Sequence, residues 1–282
     1  MKLIHIQRTG AEATAYVLVS GSDPFALGHY PGNPIYPGVL IAEHLCELGT
    51  VLCTDLGACA TFAAGIKRIQ YLSAVVPGDV VTLSVKVRRE EGSTYEIAAT
   101  AMVGNRPAVR ATLQFRSGPA PELAVWLPRH TGSSQRRIEH AAVAAVLPHR
   151  YPFLLVDSIA DYTPGQSITG SKNISSFLPA KLGLGTDHYP HSLIVESLGQ
   201  IGIALFFLSR DDERPMDIVL GSVSEATFER RVPNDCVLSL SARIERILSN
   251  GVILSAEARC ADEVVTRVGN LVAMIDPRPI AS

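Results

Sequence analysis

A histidine stands at the start of a rigid loop that leads directly into an apolar helix. The segment from His29 to Glu43 reads HYPGNPIYPGVLIAE and contains three prolines and two glycines. Proline fixes its own φ angle, and a Pro-Gly step commonly precedes or opens a helix. An imidazole on such a loop is held in one place. Because its reference pKa is about 6.5, it can accept a proton at neutral pH.

The Pro37-Gly38 step is predicted to start the helix, so the N–H groups of Gly38 and Val39 have no partner within it. They lie at the positive end of the helix dipole. Such groups can bind a carbonyl oxygen that gains charge when the neighbouring carbon loses a proton. The loop therefore suits a thioester carbonyl whose neighbouring carbon loses a proton to a nearby base.

A carboxyl group lies within a second apolar helix. The run SLIVESLGQIGIALFFL places Glu196 and Gln200 one helical turn apart on the same face. Burying an unpaired charge in so apolar a run costs several kcal/mol, so burial must favour the neutral acid. The pattern indicates that Glu196 has a functional role.

The loop that begins at His29 resembles the HFPGxPxMPGxLxxE signature of bacterial 3-hydroxyacyl-acyl-carrier-protein dehydratases of the FabZ and FabA types. On this resemblance, His29, Gly38 and Glu43 match the family's base, carbonyl-binding glycine and acidic residue. A second segment, LPHRYPFLLVD at 147–157, resembles the N-terminal signature of FabZ-type enzymes. The likeness therefore appears in both halves of the chain.

The second half departs from the pattern at its own histidine. Glu196 follows His188 after 8 residues, whereas Glu43 follows His29 after 14. The shortened loop lacks the carbonyl-binding glycine, so His188 and Glu43 are expected to form a degenerate second site. Without a defined acyl pocket, three histidines of this half are expected to be structural: His149, His188 and His191.

In homodimers of this family, the resemblance implies that each site takes its histidine from one subunit and its acid from the other. In a chain with two fused copies, His29 then pairs with Glu196, and His188 with Glu43. The resemblance further implies that Glu196 protonates the departing hydroxyl of a 3-hydroxyacyl thioester. Four residues are expected to contact the substrate: Tyr36, Gly38, Val39 and Gln200.

The implied reaction is elimination of water to a 2-enoyl thioester in fatty acid or polyketide biosynthesis. It needs no metal and no cofactor, because the phosphopantetheine arm belongs to the substrate's carrier. The His and Cys residues also show no zinc-ligand spacing. The expected partner is an acyl carrier protein or another acyl-thioester substrate.

The sequence indicates two copies of one unit. Each copy has an apolar helical run, at 39–52 or 192–208, followed by a strand, a Pro-x-Asp turn and further strands. The turns fall at 77–79 and 233–235, between segments that have the sequence pattern of β-strands. Together with the resemblance, this order predicts an α+β double hotdog fold, in which an antiparallel sheet wraps each long helix.

The boundary between the copies lies in a stretch rich in Pro, Gly, Ser and Arg that has no helix or strand periodicity. We predict a first hotdog domain at 1–118, a linker at 119–140 and a second hotdog domain at 141–282. Fusion supplies the contact that a homodimer would otherwise make. The expected result is an intramolecular pseudo-dimer that is monomeric or weakly oligomeric.

Charge and hydropathy exclude several other classes of protein. The chain carries 25 basic and 27 acidic residues, mixed along its 282 positions, which argues against nucleic acid as a ligand. Its unbroken apolar stretches, such as 203–208, are far shorter than the ~20 residues that span a bilayer. The five cysteines form no C-x-x-C pair. We expect a cytoplasmic protein with no signal peptide and no membrane insertion.

Two other functions stay open at this point. A hotdog thioesterase would use a carboxylate and a water, and the intact His29 loop argues against it. Alternatively, the chain only binds acyl groups or a carrier protein, or scaffolds another dehydratase. The altered loop at His188 is compatible with this non-enzymatic function.

Overall fold

The structure is a computed structural model that describes residues 2–32, 34–58, 60–123, 137–175, 188–210 and 218–275. The helices are α1 (Pro24–Gly28), α2 (Gly38–Asp55), α3 (His140–Val146) and α4 (His191–Leu208). The strands of the first half are β1 (Ile4–Thr9), β2 (Glu12–Leu18), β3 (Thr61–Tyr71), β4 (Val80–Glu91), β5 (Thr94–Val103) and β6 (Arg106–Ser117). Those of the second half are β7 (Ser158–Thr163), β8 (Ser167–Asn173), β9 (His188–Tyr189), β10 (Ile218–Phe228), β11 (Val232–Pro233), β12 (Val237–Leu248), β13 (Gly251–Cys260) and β14 (Glu263–Ile275).

One 12-stranded sheet runs through both halves of the chain, in the order β1-β2-β4-β5-β6-β3-β10-β14-β13-β12-β8-β7. The halves join where β3 and β10 pair antiparallel, with Ile69 opposite Val223 and Ile66 opposite Ala226. Each half therefore supplies its own antiparallel sheet. The predicted α+β double hotdog fold is confirmed.

The two long helices are the apolar runs expected from the sequence. Helices α2 and α4 contact each other, and each packs on the strands of its own half. In α4 every residue from Ser192 to Phe206 is buried, because the helix is apolar on nearly all faces. It is long and apolar enough to cross a membrane, but 83% of it is buried inside the protein, as in a core helix.

The turns that divide the strands are the predicted ones. Gly78 has a φ of 99° in the turn before β4, and Asp235 has a φ of 62° in the corresponding turn before β12. Positive φ is easily adopted by Gly and tolerated by Asp or Asn, which explains the residue types found there. Two-residue turns also join β5 to β6 and β13 to β14, as the Gly-Asn and Ala-Asp steps indicate.

Most of the predicted linker at 119–140 lies outside the described residues, which resume at 137. Strand β6 ends at Ser117, and α3 begins at His140. The described start of the linker already contacts the second half, because the Arg231 N–H donates to the Pro121 carbonyl oxygen at 2.7 Å. The domain limits themselves stay a prediction.

The close approach of β3 to β10 generates a stability prediction. A Cβ atom at Gly65 would lie 2.3 Å from the backbone carbonyl oxygen of Ala226, so Gly65→Ala should force the two half-sheets apart. We expect a loss of ~1–3 kcal/mol in the free energy of unfolding, measured by urea denaturation. The matched control is Gly221→Ala, whose Cβ would meet the flexible Met274 side chain at 3.1 Å and the Val272 carbonyl oxygen at an ordinary contact distance of 3.5 Å. Equal stabilities of the two variants would contradict this account of the junction.

Candidate active site

The histidine loop is anchored at both ends. Asp23 caps α1 by accepting a hydrogen bond from the Phe25 N–H at 2.8 Å, and the His29 N–H closes the helix on the Phe25 carbonyl at 3.0 Å. At the far end, the Tyr36 N–H donates to the Val75 carbonyl oxygen at 2.7 Å. These backbone contacts fix where the imidazole of His29 leaves the chain.

The ring of His29 is fixed in its tautomer as well as its position. Its Nδ1 lies 3.0 Å from the carbonyl oxygen of Ile35, which can only accept a hydrogen bond. The proton of the neutral ring therefore sits on Nδ1. The lone pair is left on Nε2, where it can accept a proton.

A segment of the second half packs directly against this loop. The Arg150 N–H donates to the Gly28 carbonyl oxygen at 2.9 Å, and the Phe153 ring centroid lies 5.2 Å from that of His29. A Cβ atom at Gly28 would lie 2.6 Å from the Arg150 carbonyl oxygen. Only glycine allows the two segments to come this close. The LPHRYPF segment and the His29 loop together form one wall of the site.

The second half also supplies the carboxyl group. Glu196 is 8% exposed on α4, and its Oε1 accepts a hydrogen bond from Gln200 Nε2 at 2.9 Å. The fully buried Gln200 amide also donates to the Phe153 carbonyl at 2.8 Å and accepts from the Leu155 N–H at 2.8 Å. Gln200 thus ties Glu196 and the LPHRYPF segment into one rigid group.

His149 completes a cluster with these two residues. It is 1% exposed, and its Nε2 lies 3.6 Å from Glu196 Oε1, while its ring centroid lies 5.5 Å from that of His29. Ligand-type atoms of His29, His149 and Glu196 all lie within 4.8 Å of one another. The Nδ1 of His149 has no hydrogen-bond partner within the described part of the chain.

Burial moves the pKa of each member of the cluster toward its neutral form. It lowers the pKa of His29 to about 4, an effect partly opposed by the hydrogen bond to Ile35. It raises the pKa of Glu196 to about 7, partly opposed by the hydrogen bond from Gln200. Burial also places the pKa of His149 well below its usual value, with further lowering by the charges of His29 and Arg150. Both imidazoles are therefore neutral at pH 7.

The cluster opens into a cavity of about 300 Å³ between the halves, with His29 and Glu196 in its wall. Gly38 and Val39 line the cavity at the start of α2. A Cβ atom at Gly38 would lie 2.6 Å from the Tyr71 ring, so glycine permits the close contact between helix start and strand. Most other lining side chains are apolar, as suits an acyl chain.

The structure brings most of the predicted site residues to this cavity. His29, Gly38, Val39 and Glu196 line it, as does Tyr36, whose hydroxyl lies 3.3 Å from His44 Nε2. Gln200, expected to contact the substrate, is not among the lining residues. Its amide is fully committed to Glu196 and the neighbouring loop.

Sequence reasoning favoured a purely structural role for His149, whereas the structure places it in contact with Glu196. The LPHRYPF motif, which contains His149, was the only feature of the sequence that pointed to this residue. Zinc-ligand spacing could not reveal this cluster, because its three members are far apart in the chain.

The predicted second site forms a cavity of its own, of about 290 Å³, lined by both His188 and Glu43. Burial raises the pKa of Glu43, and the polar groups of the nearby Ser192 oppose this rise. Ser192 lies in the first turn of α4, the position that corresponds to Val39 in α2. In this cavity the protein's own carboxyl group therefore contacts the helix start.

His191 also lines the second cavity, but its ring is held by the protein. It stacks on Phe228 with ring centroids 4.5 Å apart, and its Nδ1 lies 3.0 Å from Thr266 Oγ1. Burial is the main reason that its pKa is lowered to about 3, and the charges of His188 and Arg231 lower the pKa further. These contacts are those of a packed structural histidine.

Comparison with solved structures gives the class of protein. The dehydratase domain from the CurJ module of curacin polyketide synthase matches with a TM-score of 0.67 and 15% identity, over 97% of this chain and 96% of that chain. The dehydratase domain of RzxB from Pseudomonas fluorescens matches with a TM-score of 0.64 and 14% identity, over 93% and 94% of the two chains. The chain thus has the double hotdog fold of these domains.

Sequence comparison gives the family. A family model described as ApeI dehydratase matches residues 5–105. The 3-hydroxyacyl-acyl-carrier-protein dehydratase FabZ of Macrococcus caseolyticus is 39% identical over 110 residues, 38% of this chain and 75% of the relative. FabZ of Pelotomaculum thermopropionicum is 36% identical over 109 residues, 38% of this chain and 78% of the relative. The chain belongs to the FabZ-type dehydratase family, which confirms the family predicted from the motifs.

The contacts of Gln200 lead to a prediction about Glu196. In Gln200→Leu the carboxylate loses a hydrogen bond that favours its charged form, so the pKa of Glu196 should rise above about 7. The Phe153 carbonyl and the Leu155 N–H lose their partner too, at a cost of ~1–3 kcal/mol each. Carbon-13 NMR titration of the carboxyl group measures the pKa, with the exposed Gln7→Leu as the matched control. A pKa that stays unchanged or falls in Gln200→Leu would contradict the positioning role.

Proposed function

We propose that this protein eliminates water from a 3-hydroxyacyl thioester to give a 2-enoyl thioester, with His29 as the base and Glu196 as the acid. One observation carries the proposal. The neutral imidazole of His29, from the first half, lies within 4.8 Å of the carboxyl group of Glu196, from the second half, in the wall of one largely apolar cavity. Burial raises the pKa of this carboxyl group and so favours its neutral form.

The base acts through Nε2 of His29. Because Nδ1–H is committed to the Ile35 carbonyl, the free lone pair can take the proton from the carbon next to the thioester carbonyl. The same hydrogen bond stabilises the imidazolium that forms, which burial alone would disfavour. The rigid loop keeps this geometry before the substrate arrives.

The start of α2 stabilises the negative charge that develops on the thioester oxygen. Gly38 and Val39 are its first two residues, so their N–H groups lack partners within the helix and lie in the wall of the cavity. We place the thioester oxygen against these groups, where it gains charge as the α-proton leaves. Gly38 also leaves room for the Tyr71 ring.

Glu196 supplies the proton that leaves with the hydroxyl group. With its pKa raised to about 7, about half of the carboxyl groups carry a proton at neutral pH. The neighbouring His149 is neutral and offers no positive partner that would favour the carboxylate. The departing hydroxyl takes the proton from Glu196 and becomes water.

The protons balance without a further reactant. His29 gains the α-proton, Glu196 loses one to the hydroxyl, and the carbon–carbon double bond forms as the carbon–oxygen bond breaks. The site then holds an imidazolium and a carboxylate, which attract each other. Return of one proton from His29 to Glu196 restores the starting state, so the proposed reaction requires no cofactor.

We assign no turnover to the second cavity. Glu43 lies beside Ser192 at the start of α4, whereas the start of α2 in the first cavity has N–H groups without a partner in the helix that could bind a carbonyl oxygen. The loop that follows His188 is also shorter than the one that follows His29, because Glu196 comes 8 residues after His188 and Glu43 comes 14 residues after His29. His188 and Glu43 are therefore proposed as a degenerate pair, with one working site per chain.

The proposal includes the way in which the substrate arrives. An acyl group joined to phosphopantetheine, on an acyl carrier protein or on coenzyme A, presents the required thioester. We further propose that the protein acts in the cytoplasm as an intramolecular pseudo-dimer. The pairing of β3 with β10 and the burial of α4 support this arrangement.

Mass spectrometry of a 3-hydroxyacyl-carrier substrate incubated with the protein tests the proposal directly. The expected product is the same carrier-bound acyl group without one molecule of water. Release of a free thiol would favour a thioesterase instead. Bound but unchanged substrate would favour a non-catalytic binding protein.

Substitution of the four paired residues should show the asymmetry of the two cavities. Replacing His29 with Ala or Glu196 with Gln should each reduce the rate of dehydration by ~10²–10⁴-fold, because each removes one general acid or base. The matched controls His188→Ala and Glu43→Gln remove the equivalent groups of the second cavity and should retain most of the activity. Circular dichroism checks that all four variants fold. Loss of turnover in Glu43→Gln, with turnover retained in Glu196→Gln, would contradict the pairing.

The pH dependence of kcat/KM follows from the two pKa shifts. The reaction needs neutral His29, present above a pKa of about 4, and protonated Glu196, present below a pKa of about 7. The rate should therefore fall ~10-fold per pH unit above about 7, because Glu196 has lost the proton that it must donate. Steady-state kinetics from pH 4 to 9 measure this profile, and a rate that still increases between pH 7 and 9 would contradict the assignment.

A further inference from the structure

We propose that His29, His149 and Glu196 bind a divalent transition-metal ion of the zinc type, and that the bound ion inhibits the enzyme. The inhibition rests on the proposed function of His29 and Glu196. The metal site itself rests only on the geometry of the cluster.

The geometry is close to that of a zinc site. One ligand atom from each residue lies within 4.8 Å of the other two, and His149 Nε2 is already 3.6 Å from Glu196 Oε1. Zinc binds nitrogen and oxygen ligands at ~2.0–2.2 Å, so the ligand atoms of a tetrahedral site are ~3.3–3.6 Å apart. Side-chain adjustments of about 1 Å would therefore complete the site.

The donor set selects the class of ion. Two imidazoles and one carboxylate form a known protein ligand set for zinc, with the fourth position left open. Here the open position would face the cavity that His29 and Glu196 line. Magnesium and calcium prefer oxygen ligands, so neither ion should compete effectively.

The surroundings of the ligands favour the same interpretation. Ligating histidines usually donate their second ring N–H to a carbonyl or carboxylate, and His29 already does so to Ile35 at 3.0 Å. The Glu196 carboxyl is held by Gln200 at 2.9 Å. His149 is buried with Nε2 in no closer polar contact, among the described residues, than Glu196 at 3.6 Å. Because Nδ1 of His149 has no hydrogen-bond partner within the described residues, the ring can carry its proton there and leave Nε2 free to bind an ion.

Metal binding would affect both chemistry and stability. The ion would occupy the His29 lone pair that accepts the α-proton and the Glu196 oxygen that carries the acid proton. Because His29 belongs to the first half and the other two ligands to the second, the ion would also link the halves. A ligand that binds only the folded state stabilises it, so zinc should raise the Tm.

The test uses the full chain freed of metal by a chelator. Zinc affinity is measured by competition with a chromophoric chelator, and the coordination geometry by the visible absorption of added Co²⁺. We expect one ion per chain, the absorption of a four-coordinate cobalt site, a higher Tm with zinc, and loss of dehydration that EDTA restores. Magnesium at the same concentrations should have none of these effects.

Variants assign the ion to the cluster. Replacing His29, His149 or Glu196 with Gln should each weaken zinc binding by at least ~10-fold, the loss that even an outer-shell partner can cause. The control is His140→Gln, because the His140 side chain is 58% exposed on α3 and lies outside the cavity. Its zinc affinity and its activity should equal those of the unmodified chain.

The outcomes separate this proposal from the proposed function. Equal zinc affinity in His149→Gln and His140→Gln, or no cobalt absorption in the unmodified chain, would overturn the metal site. Dehydration that zinc leaves unaffected would overturn the inhibition while supporting the proposed function. Zinc binding that depends on all three residues, in a chain that does not dehydrate its substrate, would support the metal site and overturn the proposed function.

Discussion

The antiparallel pairing of β3 with β10 is the constraint on which the rest of the structure depends. It joins two half-sheets into one and thereby places α2 and α4 side by side between them. The start of α2 and Glu196 of α4 then line the same cavity. As a result, a histidine and a carboxyl group that are far apart in sequence meet at a protected cavity, and neither half contains a complete pair by itself.

The same pseudo-symmetry creates a second cavity, and small local differences give it a different character. In the first cavity the long loop carries His29 over a helix start that begins with Gly38. In the second, the helix start contacts Glu43 through Ser192, and packing holds the nearby histidine. The shared sheet still needs both halves for stability.

Local patterns predicted the elements, whereas tertiary packing determined the details of the site. The apolar runs and turn residues predicted α2, α4 and the hairpins, because periodicity and turn conformation are local properties. The pairing of His29 with Glu196 came from resemblance to a dimeric family. The contact of His149 with Glu196 could not be predicted in this way, because it depends on how the LPHRYPF segment packs against Gly28. The residues that precede His188, at 176–187, lie outside the described residues.

The central claim is that His29 and Glu196 act as one unit across the two halves, and a double-mutant cycle in kcat/KM tests it most directly. The cycle compares His29→Asn, Glu196→Gln and the chain carrying both changes with the unmodified protein. Groups that act together are not additive, so the double variant should be little slower than either single variant. If the two losses instead multiply, the residues act independently, and the account of a shared site would be wrong.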